Sequence, residues 1–196
     1  TMVGAHPTSL GHLYYKQAAL LRQNAARFKI NSFQNDLADL QRAHASDKLF
    51  EEAMSQKLNY KQTSQFSRDS IRYFLTTVEY YLPWYNEGHR GKPKPDMSRV
   101  FELGLVNLEH IYPRHPMVPD RTLDDWKQDI GNLTFWAPEE NANVGNEPFA
   151  LKKANYAEST IRLTKELAIL SDWSTDELKK RKKRLIAIAR SIFTAS

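Results

Sequence analysis

The 196 residues contain no cysteine. That excludes disulfides, cysteine zinc clusters and thiol nucleophiles together, and a reducing interior, the cytoplasm, is the expected compartment. Glycine is sparse, at seven residues, and no stretch has the glycine-rich pattern of a phosphate-binding loop. Long apolar runs are missing too. Nothing approaches a membrane span, and the opening TMVGAHPTSLGHLYY has no signal-peptide core. The order Thr1-Met2 suggests a piece of a longer protein with a tag remnant. Neither an internal repeat nor a low-complexity tract occurs.

What is present suffices for one domain, or two small ones, with a real core. Lys plus Arg is 28 against 23 for Asp plus Glu, a net charge of +5, which favours an acidic partner such as nucleic acid. The excess is local. From residue 149 onward there are seven Lys and four Arg against three Glu and two Asp, so that segment carries +6 and the preceding 148 residues sum to −1. The densest block is KKRKKR, residues 179–184. It suits a DNA-tracking face, with Lys179, Lys180, Lys182 and Lys183 as candidate phosphate contacts, against the plainer reading of a solvated helix face. Arg181 follows Leu178 by one turn, so its stem can pack inward.

Periodicity predicts a mostly helical chain. Apolar residues recur at helical spacing from Leu10 to Phe28. Ser32 is the expected cap of a second helix over FQNDLADLQRAH, and Ser46 of a third over DKLFEEAMSQKL. A stronger helix, SRDSIRYFLTTVEYYLPWY, places Ile71, Phe74, Leu75, Val78 and Leu82 on one face. NEGHRGKPKPD, residues 86–96, then reads as a linker. It separates an N-terminal helical subdomain and linker, 1–95, from a second domain, 96–196. Beyond it, RVFELGLVNLEHIY and IGNLTFW contain strand-like stretches, with TLDDWKQD between them as a helical turn capped by Thr122 or a neighbour. APEENANVGNEPF is a polar loop. ALKKANYAESTIRLTKELAIL and STDELKKRKKRLIAIARSIF are expected as two helices, the second opened by a Ser174/Glu177 capping box. The fold class is therefore α+β, mostly α-helical.

The chemistry concentrates in NLEHIYPRHP, residues 107–116. Glu109 and His110 are adjacent, Pro113 follows, and Asn132 and Asn141 come later in the second strand segment and the polar loop. An acid plus an amide oxygen can hold a hard divalent cation that keeps most of its waters. A neighbouring imidazole that is not a ligand is free to take a proton from water, and a second asparagine can fix its tautomer. Those are the parts of metal-assisted phosphodiester hydrolysis. His115 is separated from His110 by Pro113, so the two cannot share a helical face, and His115 is read as outside the site. Trp126, Phe135 and Trp136 read as core rather than base-stacking groups. Lys152 and Lys153 open a helix just after the site, as either solvated surface or a phosphate clamp.

Glu109-His110-Ile111 with Pro113, then GNLTFW, then Asn141, resembles the HNH motif of ββα-metal (His-Me finger) nucleases. GNLTFWAPEENANVGNEPFALKKANYAES and the closing WSTDELKKRKKRL are similar to one branch of that superfamily, the C-terminal nuclease domain of GmrSD-type and SspE-type restriction enzymes. The resemblance runs over residues 67–193 and is weak before that. It implies an HNH core with an N-terminal helical subdomain and two C-terminal helices, and a metal-dependent endonuclease that nicks or cuts DNA with low sequence specificity. His110 would be the general base. Glu109 and Asn141 would hold one divalent metal, Mg2+ or Mn2+, and Asn132 would support the loop and orient His110. Many such motifs end in histidine where this chain has Asn141, and Asn143 and Asn146 stand close by. Arg114, Lys152 and Lys153 join the 179–184 lysines as expected nucleic-acid contacts. The implied partners are double-stranded DNA, foreign or modified, and an N-terminal NTPase and sensor domain of the same protein. The implied role is phage defence, with no membrane. A non-catalytic DNA-binding module and a helical protein-interaction domain are the alternatives from other classes.

Overall fold

The computed structural model describes residues 7–98, 106–136 and 146–193. By backbone proximity the chain divides into two units, 1–57 and 58–196. In the first, α1 (Pro7–Gln23) is followed by a 3-10 turn (Ala25–Arg27), α2 (Ile30–His44) and α3 (Asp47–Lys57). Tyr14 meets Phe33 edge to face at 5.6 Å, and Gln17 donates to Asp36 at 3.1 Å, which ties α1 to α2. Ser32 is not a cap, because α2 starts two residues earlier, after Lys29, whose carbonyl accepts the Phe33 N–H. Ser46 does cap α3: its hydroxyl accepts from Leu49 N and its carbonyl from Phe50 N.

The second unit carries the chemistry. Helix α4 (Gln65–Asn86) is opened by Ser64, whose hydroxyl accepts from Ser67 N. Its predicted apolar face is the buried one, with Ile71, Phe74, Leu75, Val78 and Leu82 all in the core. Strand β1 (Asn107–His110) pairs antiparallel with β2 (Leu133–Trp136), setting Glu109 opposite Thr134 and His110 opposite Leu133. Residues 99–105 of the first predicted strand segment lie outside the described residues. Between the strands comes α5 (Arg121–Asp124), capped by Asp120. A 3-10 turn (Ile130–Asn132) replaces the start of the second predicted strand, because the Asp129 carboxylate accepts the Gly131 N–H at 2.9 Å. The order is thus helices, two strands, helices, an α+β fold that is mostly α. Phe135 and Trp136 are core, and Trp126 packs partly buried against the cluster that holds Trp136.

The predicted helix over 150–170 is broken into α6 (Phe149–Glu158), α7 (Arg162–Lys165) and a 3-10 turn (Glu166–Ile169). No proline or glycine does this. The buried Glu79 carboxylate of α4 accepts from Arg162 N and Leu163 N, both at 2.9 Å, and so starts a new helix there. The last helix, α8 (Thr175–Phe193), packs on α4 and on the 130–132 turn. Ser174 accepts from Glu177 N at 3.3 Å, while the Glu177 carboxylate turns to Lys180, so half of the capping box forms.

Gly131 sets how closely α8 can approach. A Cβ there would lie 2.6 Å from the Leu178 carbonyl oxygen and 3.1 Å from Lys182 Cβ. Gly131→Ala must push α8 away from the strand pair that carries the site. The expected loss is about 1–3 kcal/mol by urea unfolding, the usual cost of overpacking. A variant as stable as the parent would show that this contact does not fix the helix.

Candidate active site

Adjacent at the end of β1, Glu109 and His110 have separate sets of partners. Glu109, 5% exposed, meets α6. The ammonium of Lys152, 0% exposed, donates to Glu109 Oε1 at 2.5 Å, to the His110 carbonyl at 3.1 Å and to the Ile111 carbonyl at 3.5 Å. All three of its N–H donors therefore have acceptors. Lys152 is neither a solvated lysine nor a phosphate clamp. It is the buried counter-ion of Glu109, and its position on the inward side of α6 is the reason. Burial pushes the Glu109 carboxyl above its usual value against the pull of Lys152, and burial likewise lowers Lys152.

His110, 6% exposed, meets different groups. Its Nε2 is 3.2 Å from Gln128 Oε1, and the Tyr60 ring meets it edge-on at 5.0 Å. Burial lowers its pKa to about 4. The imidazole is therefore neutral at ordinary pH and has a lone pair to offer.

Asn132 is fully buried and uses its whole amide. Oδ1 accepts from Tyr112 N at 2.8 Å and Trp173 Nε1 at 3.1 Å, and Nδ2 donates to the carbonyls of Tyr112 and Lys127, both at 2.9 Å. It clamps the backbone just after His110, as a loop support would. It does not hold the imidazole, because no donor or acceptor is left over; Gln128 does that. Asn141 and Asn143 lie outside the described residues. Asn146 lines a pocket of about 220 Å³ with Tyr112, Phe149 and Trp173.

The basic residues separate by their partners. Arg114 donates to Gln62 at 3.0 Å with its guanidinium 5.9 Å from the Tyr60 ring centre. Lys179 is exposed with its ammonium 4.9 Å from the Trp126 ring centre, and Lys180 pairs with Glu177 at 2.6 Å. Lys182 is half-buried and pairs with Asp129 at 2.6 Å, so it is not the free phosphate contact expected of it. Lys183 is exposed and Lys153 half-buried. Arg181 packs inward as its spacing predicts, donating to the Leu133 carbonyl at 3.0 Å, and burial lowers it to about 10.

Sequence reasoning missed Gln128 and Tyr60. They are brought to His110 by main-chain pairing of distant segments: Tyr60 N donates to the Gln128 carbonyl at 2.8 Å, Ile130 N to the Leu58 carbonyl at 3.1 Å, and Asn59 bridges Asp129. No local motif announces such pairing.

The donor chemistry suits a hard cation. Glu109 supplies one carboxylate, and among the described residues no group of three or more His, Cys, Asp or Glu stands together. One carboxylate completed by waters is a donor set that magnesium or manganese would accept. A cation held by Glu109 would share this carboxylate with the Lys152 ammonium.

The family described as GmrSD restriction endonucleases, C-terminal domain, matches residues 44–188. No curated protein matches the chain.

Proposed function

Given that the chain belongs to the family of GmrSD restriction endonuclease C-terminal domains, a nuclease domain of restriction type, we propose that it is a metal-dependent HNH endonuclease. It hydrolyses DNA phosphodiesters with little sequence readout, as the effector of a defence protein whose NTPase and sensor part controls it. The observation that carries this reading is the pairing, on adjacent residues of one strand end, of a buried carboxylate with a buried neutral imidazole. His110 accepts a proton from the attacking water. Glu109 and Asn141 would hold one divalent cation, which when bound polarises the scissile phosphate and stabilises the leaving oxygen. Lys152 keeps the Glu109 carboxylate in place, and Asn132 fixes the turn that follows His110.

Arg114, Lys153, Lys179, Lys180 and Lys183 are the side chains left to track the DNA backbone. Phosphate contacts position a duplex without reading it, in keeping with low specificity. No helix among the described residues is long and apolar enough to cross a membrane.

Supercoiled plasmid tests the reading directly. With Mg2+ or Mn2+ the protein should convert it to nicked or linear form, and EDTA should abolish the conversion. Glu109→Gln should raise the metal concentration needed for half-maximal cleavage, since it removes the charged ligand from a sparse set. Cleavage that survives EDTA would overturn the metal role, and no cleavage under any metal would overturn the enzyme.

A further inference from the structure

We propose that Gln128 is a positioning residue that fixes the tautomer of His110, holding the proton on Nε2 and leaving Nδ1 as the atom that takes the proton from water. This rests on the reading of His110 as the base and adds the residue that sets which of its nitrogens works. Gln128 Oε1 stands 3.2 Å from Nε2. An amide oxygen is only an acceptor, so the contact is a hydrogen bond only when Nε2 carries the hydrogen. In a neutral imidazole the lone pair is then on Nδ1. The opposite amide orientation would present N–H to Nε2, leave the hydrogen on Nδ1 and disable that atom as a base.

The surroundings hold Gln128 where it can do this. Its own carbonyl accepts from Tyr60 N at 2.8 Å. The preceding residue is tied by Asn132 Nδ2, which donates to the Lys127 carbonyl at 2.9 Å. The next residue bridges Asn59. The Tyr60 ring, edge-on to His110 at 5.0 Å and 89°, stands on the same stretch of chain. Gln128 itself is exposed and not part of the core. Its replacement should leave the fold intact.

The test is 15N NMR of the His110 ring in the full chain at neutral pH without metal, where the protonated and bare nitrogens are told apart by shift and coupling. The parent should show hydrogen on Nε2. Gln128→Met, which keeps length and loses the acceptor, should give a mixture of tautomers, while Gln128→Glu, which keeps an acceptor, should hold the parent form. In plasmid cleavage Gln128→Met should lower kcat by about tenfold or less with KM unchanged, the scale of one hydrogen bond. A parent ring with hydrogen on Nδ1, or a Met variant with an unchanged ring spectrum, would overturn the assignment. So would a Met variant whose KM rises at constant kcat. If the parent fails to cut DNA, the nuclease reading falls, and the ring spectra still decide the role of Gln128.

Discussion

His110→Ala is expected to lower the rate of DNA cleavage by about 10²–10⁴-fold, the contribution typical of a general base. DNA affinity should change little, since the imidazole is buried and neutral and contributes no charge to the backbone contact. Single-turnover cleavage beside a binding titration separates the two effects, and full activity in the variant would remove His110 from the chemistry. The same substitution has a signature in stability. His110 titrates at about 4 when folded, against an ordinary value of 6.5. As pH falls below 6.5 the unfolded chain binds the proton first, so the parent loses stability down to about pH 4. Above 6.5 the group is neutral in both states and contributes nothing. The slope is at most about 1.4 kcal/mol per pH unit. His110→Ala should remove this part of the acid sensitivity, as urea unfolding at a series of pH values would show.

Lys152→Met should be the most destabilising single change at the site. It leaves the Glu109 carboxylate buried with its counter-ion gone, and breaking a buried pair in this way typically costs about 3–5 kcal/mol. Burial already pushes Glu109 toward its protonated form, and losing the ammonium pushes it further. The variant should therefore bind metal poorly as well as unfold early. Glu109→Gln combined with Lys152→Met should recover much of the stability, because two neutral groups then occupy the site, and it should recover none of the cleavage. A double-mutant cycle in urea measures the coupling. If Lys152→Met costs only about 0.5 kcal/mol, as a surface change would, the ion pair is not what holds the end of β1.

The readable parts of this chain were those whose signal is local. The α4 face could be named because its five apolar residues recur at helical spacing, and all five are buried. Glu109, His110 and Asn132 could be singled out because, with Pro113 and the GNLTFW segment, they match a short family motif, whereas an acid–histidine step alone says little. Arg181 could be suspected of packing inward because Leu178, one turn earlier, marks the inner face of α8. Partners far along the chain left no such mark. Lys152 looks like any lysine opening a helix until Glu109 is seen beneath it. The break after Glu158 has only Ser159, whose hydroxyl accepts from Ile161 N, as a local mark, and the helix that follows is started by Glu79 in another helix. Gln128 falls in an unremarkable polar turn and acquires its role only when residues 58–60 pair with 128–130.

The pairing of 58–60 with 128–130 also bears on what happens if the chain is cut. Residues 86–92 are exposed and turn through positive φ at Gly88, His89 and Gly91, the kind of stretch that proteases enter first. Severed there, the two pieces would still be held by hydrogen bonds from Tyr60 and Ile130, by the Glu79 carboxylate on α7, and by the packing of α4 on α8. A nicked molecule would keep its site assembled for as long as it stayed folded. Once unfolded it would recover only by collision of two fragments, so its refolding would change from first order to second order and fail on dilution.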